Sequence, residues 1–202
     1  KVLREAHDGV VHRRRAVGMV VPRHVTGHLG ALAVGFLGGQ AQVATVLFSD
    51  IRSFTTISEA LGAQETVGML NEYFTKMVDI IFSYGGILDK YIGDAIMAVF
   101  GTPFSTPQDA DYAVQAAIDM LKVLKKFNSE RIMCGKQPID IGVGINTDEV
   151  VAGNIGSLKR KDYTVIGDGV NLASRLHQQQ RHLCGTSASL IAYLVHQSIG
   201  QP

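Results

Sequence analysis

GGILDKYIGDAIMAVFG, residues 85 to 101, decides the fold. Two short apolar runs, Ile87 to Ile92 and Ala95 to Phe100, flank the dipeptide Gly93-Asp94, which is the pattern of a β-hairpin closed by a two-residue turn. Asp94 therefore sits at a hairpin tip. Upstream, Val43 to Asp50 (VATVLFSD) is β-branched and apolar and ends in a polar turn, so it reads as a buried strand. Between the two, Val67, Leu70, Phe74, Met77 and Ile81 recur at steps of three and four, which predicts one face of a long helix reaching about Tyr84, where Gly85-Gly86 stops it. Downstream, Ala113, Ala117, Met120, Leu124 and Phe127 mark a second helix that begins near Asp109 and gives way around Asn128. Ile139 to Ile145 follows as a fourth strand. The order strand, helix, strand, strand, helix, strand is the ferredoxin-like βαββαβ arrangement, an α+β fold. Glu149 to Ile155 and Tyr163 to Ile166 add a hairpin, and Val170 to at least Leu176 adds a helix.

Composition divides the chain. Residues 1–42 carry six Lys/Arg against two acids, residues 43–178 carry twelve against sixteen, and residues 179–202 carry one arginine. The middle unit, 43–178, is thus expected to be the functional domain, between a basic unassigned segment or linker (1–42) and a tail of different character (179–202). An acidic unit is a poor polyanion surface, so nucleic acid is not expected as a partner, and any phosphate should arrive with metal cations. Over the whole chain, 46% hydrophobic and 18% charged residues are enough to form a core. The longest greasy stretch, Leu29 to Gly39, is broken by glycines and falls short of the roughly 20 residues that cross a bilayer. The Arg-rich start has a faint look of a targeting peptide, but Glu5 and Asp8 interrupt it. Cys134 and Cys184 have no metal-ligand spacing and read as free thiols of a reducing compartment, so a cytoplasmic location is expected.

Asp50 and Asp94 close two strand ends that chain geometry can bring together, and a hard cation such as Mg2+ takes a few carboxylates plus phosphate oxygens. Each is equally the residue of an ordinary polar turn. Asn171 and Arg175 lie four apart on one helix face, where a guanidinium with a nearby amide suits charge developing on phosphate, or makes a plain surface pair. Lys90, four before Asp94, is as ambiguous.

Taken together, LFSDIRSFTTISE (47–59), LNEYF (70–74), GGILDKYIGDAIMAVFG, GVGIN (142–146) and GNIGSLKRKDYTVIGDGVNLASRL (153–176) resemble the class III adenylate and guanylate cyclase catalytic domain in its bacterial form, in collinear order from about Val43 to Leu176. The resemblance implies that Asp50, Asp94 and the backbone carbonyl of Ile51 hold two Mg2+ or Mn2+ ions. It implies that Lys90 and Thr164 read the purine, that Phe54 and Thr55 are substrate-binding, and that Asn171 and Arg175 are the transition-state residues. It further implies a homodimer with two composite active sites, the metal pair coming from one chain and Lys90, Thr164, Asn171 and Arg175 from the other. The implied reaction makes 3',5'-cyclic AMP and pyrophosphate from ATP for intracellular signalling. A Lys offers only donors, which suits adenine N1, and a Thr hydroxyl can accept from the exocyclic amine, whereas a GTP-specific relative would carry Glu at the position of Lys90.

Two departures stand out. Some relatives have a triphosphate-binding Arg where this chain has Gly142, so Lys or Arg elsewhere must serve, and the sequence after Leu176 does not match the usual end of the domain. The competing readings are a guanylate cyclase, a dimerising regulatory domain that keeps the fold with little turnover, and a diguanylate cyclase. The last needs a Gly-Gly-Asp/Glu-Glu-Phe run that Gly85-Gly86-Ile87-Leu88 does not provide. An RNA-binding module would need stacking aromatics and a basic sheet.

Overall fold

The computed structural model describes residues 38–179 and 191–195. Most of the basic segment 1–42 and of the tail 179–202 lies outside these residues. The elements are β1 (Gly38–Ile51), α1 (Phe54–Leu61), α2 (Ala63–Ser83), β2 (Ile87–Ile92), β3 (Ala95–Phe100), α3 (Asp109–Met133), β4 (Ile141–Ser157), β5 (Arg160–Ile166), α4 (Asp168–Gln179) and β6 (Ile191–Val195). The sheet runs β2-β3-β1-β4-β5, with β6 pairing parallel to residues 143–147 of β4. Its first four strands have the ferredoxin-like order expected from the sequence.

The hairpin strands fall where the apolar runs end, and Gly93 carries the positive φ (64°) that a tight hairpin turn requires. β1 starts at Gly38, five residues before the expected Val43, because its early residues pair with the far half of β4 (Gly38↔Asn154 to Val43↔Glu149). Instead of a short fourth strand and a separate hairpin arm, β4 is one strand of 17 residues. Its first half serves the sheet, and its second half carries β5 from Val151↔Ile166 to Ser157↔Arg160.

Helices cover one face of the sheet. Leu47, Ile51, Leu88, Ile96, Ala98, Phe100, Val143 and Ile145 pack there with α2 and α3. The α3 face is the expected one, but α3 continues to Met133, five residues past Asn128, and buries Arg131 against the Phe127 ring. The α2 face is rotated. Thr66, Met69, Tyr73, Met77, Val78 and Ile81 are buried while Val67 is 56% exposed, and Gly62 (φ 75°) splits off α1 ahead of it. The step pattern is shared by neighbouring faces, and packing selects between them. On the opposite face Ala44, Val46, Phe48, Met97, Val99, Val150, Ala152, Val165 and Ala173 form a second cluster beneath β5 and α4. Strand β1 is buried on both sides from Ala44 to Ile51, which is why VATVLFSD lacks alternation.

Candidate active site

Asp50 and Asp94 meet because β3 pairs with β1 (Ser49↔Ile96), which carries the β2–β3 turn to the end of β1. The Ile51 N–H donates to Asp94 Oδ2 at 3.1 Å. Asp50 is 6% exposed. Burial, then a hydrogen bond to Asp50 and its charge, hold the Asp94 carboxyl up at about 7. Two carboxyl groups side by side, one buried and one half-buried, can receive a cation. The side-chain donors there are all oxygen, and among the described residues no group of three or more His, Cys, Asp or Glu gathers. So short a donor set fits Mg2+ or Mn2+, which keep positions for water and phosphate.

His177, which the sequence reading passed over, closes this corner. Its Nε2 lies 3.6 Å from Asp50 Oδ2 and its ring stacks on Phe48 at 5.6 Å. Arg52 donates from Nη2 to the His177 carbonyl at 2.8 Å, placing a cation at the C-terminal end of α4. The Arg52 guanidinium lies directly over Gly142, where any Cβ would collide with it. The missing side chain at 142 therefore leaves room for an arginine from the turn that follows β1. Gly144 acts similarly, since a Cβ there would run into the α4 backbone at Ala173 and His177.

Asn171 and Arg175 stand on the exposed face of α4, with Arg175 Nε 3.4 Å from the Asn171 carbonyl. What α4 turns toward Asp50 in its own chain is His177. Phe54 packs its ring on the core and Thr55 is exposed, so what their segment offers a ligand is the N-terminal N–H groups of α1. No side chain caps that terminus.

Lys90 and Thr164 come together through Asp89, another residue the sequence reading missed. Strand β2 pairs Leu88 with Ala98 and Lys90 with Met97, so Asp89 is the extra residue of a β-bulge. Regular alternation would put Lys90 on the face of Leu88, inside the helix-covered core. The bulge turns it to the Met97 side, the face that carries Phe48 and Asp50. Asp89 is buried there and accepts a 2.7 Å hydrogen bond from Thr164 Oγ1, while Lys90 Nζ lies 3.7 Å from the same oxygen. Burial pushes the Asp89 carboxyl up, and Thr164 and Lys90 pull it back. The one available signal was an acid inside the run ILDKYI.

No described helix is long and apolar enough to cross a membrane. A family model, the Adenylate and Guanylate cyclase catalytic domain, matches residues 39–184. An adenylate cyclase of Anabaena cylindrica is 46% identical over 136 residues, 65% of this chain and 26% of that protein. The guanylyl cyclase Cya2 superposes with a TM-score of 0.68 at 45% identity, covering 71% of this chain and 73% of that one. The adenylyl cyclase CyaB from P. aeruginosa does so with 0.68 at 42%, covering 71% and 74%. The chain spans about a quarter of the length of the curated relatives it matches. With that match along most of its length and the sheet and carboxylate corner described above, the chain belongs to the adenylate and guanylate cyclase catalytic-domain family.

Proposed function

We propose that this domain converts ATP to 3',5'-cyclic AMP and pyrophosphate on two divalent cations, as a homodimer in the cytoplasm. The observation that carries the reading is the juxtaposition of buried Asp50 with half-buried Asp94, whose carboxyl is held up at about 7 by burial and then by the hydrogen bond to Asp50 and its charge. When bound, the cations lower the pKa of the attacking ribose 3'-hydroxyl and neutralise the phosphates. Asp50, Asp94 and the Ile51 carbonyl hold them. The N–H groups opening α1 at Phe54 and Thr55 receive phosphate oxygens. Asn171 orients the ribose and Arg175 faces the α-phosphoryl oxygens, so the protein's part is positioning and electrostatics.

Two features support an active site shared between chains. Asn171 and Arg175 are exposed on α4 while His177 is the α4 residue beside Asp50, and Tyr91 and Ile92 beside the hairpin tip stay exposed, an apolar surface for a partner to cover. Choice of base rests on residues, because one of the relatives above is a guanylyl cyclase and another an adenylyl cyclase at nearly equal identity. Lys90 supplies donors and Thr164 an acceptor, which matches adenine. Incubating the purified chain with Mn2+ and either ATP or GTP, and separating the products, tests this. Cyclic AMP is expected. Cyclic GMP as the main product would reassign the base, and no cyclic product from a verified dimer would favour a regulatory domain without turnover.

A further inference from the structure

A threonine by itself is an ambiguous reader of purines. Its hydroxyl has one proton and two lone pairs, so it can accept from the 6-amine of adenine or rotate and donate to the 6-oxygen of guanine or hypoxanthine. In this chain the ambiguity is removed. The Thr164 hydroxyl proton points to Asp89 Oδ2 at 2.7 Å, and the bond joins two buried residues 75 positions apart in sequence. Only lone pairs remain for anything else that approaches Thr164. Lys90, at 3.7 Å from the same carboxylate oxygen, adds donors and no acceptor.

A buried carboxylate is costly unless it is hydrogen-bonded, and the Asp89 side chain is only 1% exposed. The Lys90–Asp89 pair opens to solvent on the lysine side and adds little stability. Asp89 also occupies the bulge that swings Lys90 out of the core. Each of these features sets the polarity and direction of the two groups presented at this edge.

We propose that Asp89 is a specificity-positioning residue: by taking the Thr164 hydroxyl proton it fixes Thr164 as an acceptor, so the site takes 6-aminopurine nucleotides and rejects 6-oxopurine ones. The inference rests on the reading of Lys90 and Thr164 as base contacts. Where a 6-oxygen would face Thr164, two sets of lone pairs oppose each other, and the N1–H of such a base faces the Lys90 ammonium.

The test is the ratio of kcat/KM for ATP over inosine triphosphate, which differs from ATP at positions 6 and 1 of the base alone, measured on the full chain and on Asp89→Leu, Asp89→Ala and Thr164→Val. Wild type should favour ATP. Both Asp89 variants should lower the ratio by roughly tenfold, the worth of one hydrogen bond to a charged group, mainly through better use of inosine triphosphate. Thermal melts accompany the kinetics, and if Asp89→Ala does not fold, Asp89→Leu, which keeps a similar shape but has no acceptor, carries the result. A wild-type ratio near one overturns the proposal. So does an unchanged ratio in a folded Asp89 variant when Thr164→Val shifts it, because Asp89 then only supports the fold. If Thr164→Val also leaves the ratio unchanged, the base-contact reading itself falls, and this inference with it.

Discussion

The Ile51 N–H and the Asp94 carboxylate are joined at 3.1 Å, so the backbone that ends β1 holds the turn of the neighbouring hairpin in place. That bond holds Asp94 beside the end of β1, next to Asp50. It uses one lone pair of Asp94 Oδ2, and the same carboxyl group is also hydrogen-bonded with Asp50.

Asp50→Asn and Asp94→Asn should each lower cyclase turnover with Mg2+ by several orders of magnitude, measured as cyclic product per dimer, because a two-cation site loses a ligand. Retention of more than about a tenth of the activity, a barrier change of only ~1.4 kcal/mol, would overturn the metal assignment. Folding should survive. Burial holds the Asp94 carboxyl up at about 7, well above the ordinary aspartate range, so without metal the folded chain holds a proton that the unfolded chain releases. Stability in chelator should therefore fall as pH rises from about 4 toward 7, and Asp94→Asn should flatten that trend in thermal melts.

Lys90→Glu combined with Thr164→Cys should weaken use of ATP and admit GTP, because the hydrogen-bond polarity at the purine edge is inverted. The ratio of the two kcat/KM values should move more than the total rate. An unchanged ratio in the double variant would remove both residues from base recognition.

Asp94→Ala and Arg175→Ala should each be nearly inactive as homodimers, since every site then lacks a cation ligand or a transition-state contact. After subunit exchange, half of the dimers are mixed and one of their two sites is intact, so roughly a quarter of wild-type specific activity should return. Size-exclusion chromatography with differently tagged chains verifies exchange. No recovery despite exchange would mean that both residues act within one chain.

Gly144→Ala should displace α4 by pushing a methyl group against the backbone at Ala173, with His177 N only 2.6 Å from the new Cβ. A loss of about 1–3 kcal/mol is expected in denaturant unfolding, the usual range for overpacking. Activity should fall further than stability, because α4 carries Asn171 and Arg175. A variant with parental stability and turnover would show that α4 does not need this close approach.

Sequence alone determined the hairpin, its turn and the buried face of α3, because each depends on residues within a few positions of one another: Gly93 supplies the turn's φ, and Ala113, Ala117, Met120, Leu124 and Phe127 repeat at helical spacing. It also exposed Asp50 and Asp94 as strand-end carboxylates, since strand ends are local features. Tertiary structure decided which helical face of α2 is buried, since Val67 and Met69 fit the period equally well until the sheet is beneath them. It decided that β4 is one strand, because pairing with β1 and then β5 carries the backbone through Asn146 to Glu149. Only the assembled sheet decided that Asp89 forms a bulge, that Lys90 leaves the core face, that Thr164 finds an acceptor 75 residues away, and that His177 reaches Asp50. These contacts join segments far apart in the chain, and a hydrogen bond between such segments has no periodicity or turn chemistry to announce it. They exist because closing the sheet removes water from those groups and leaves each polar atom to find its partner inside the protein.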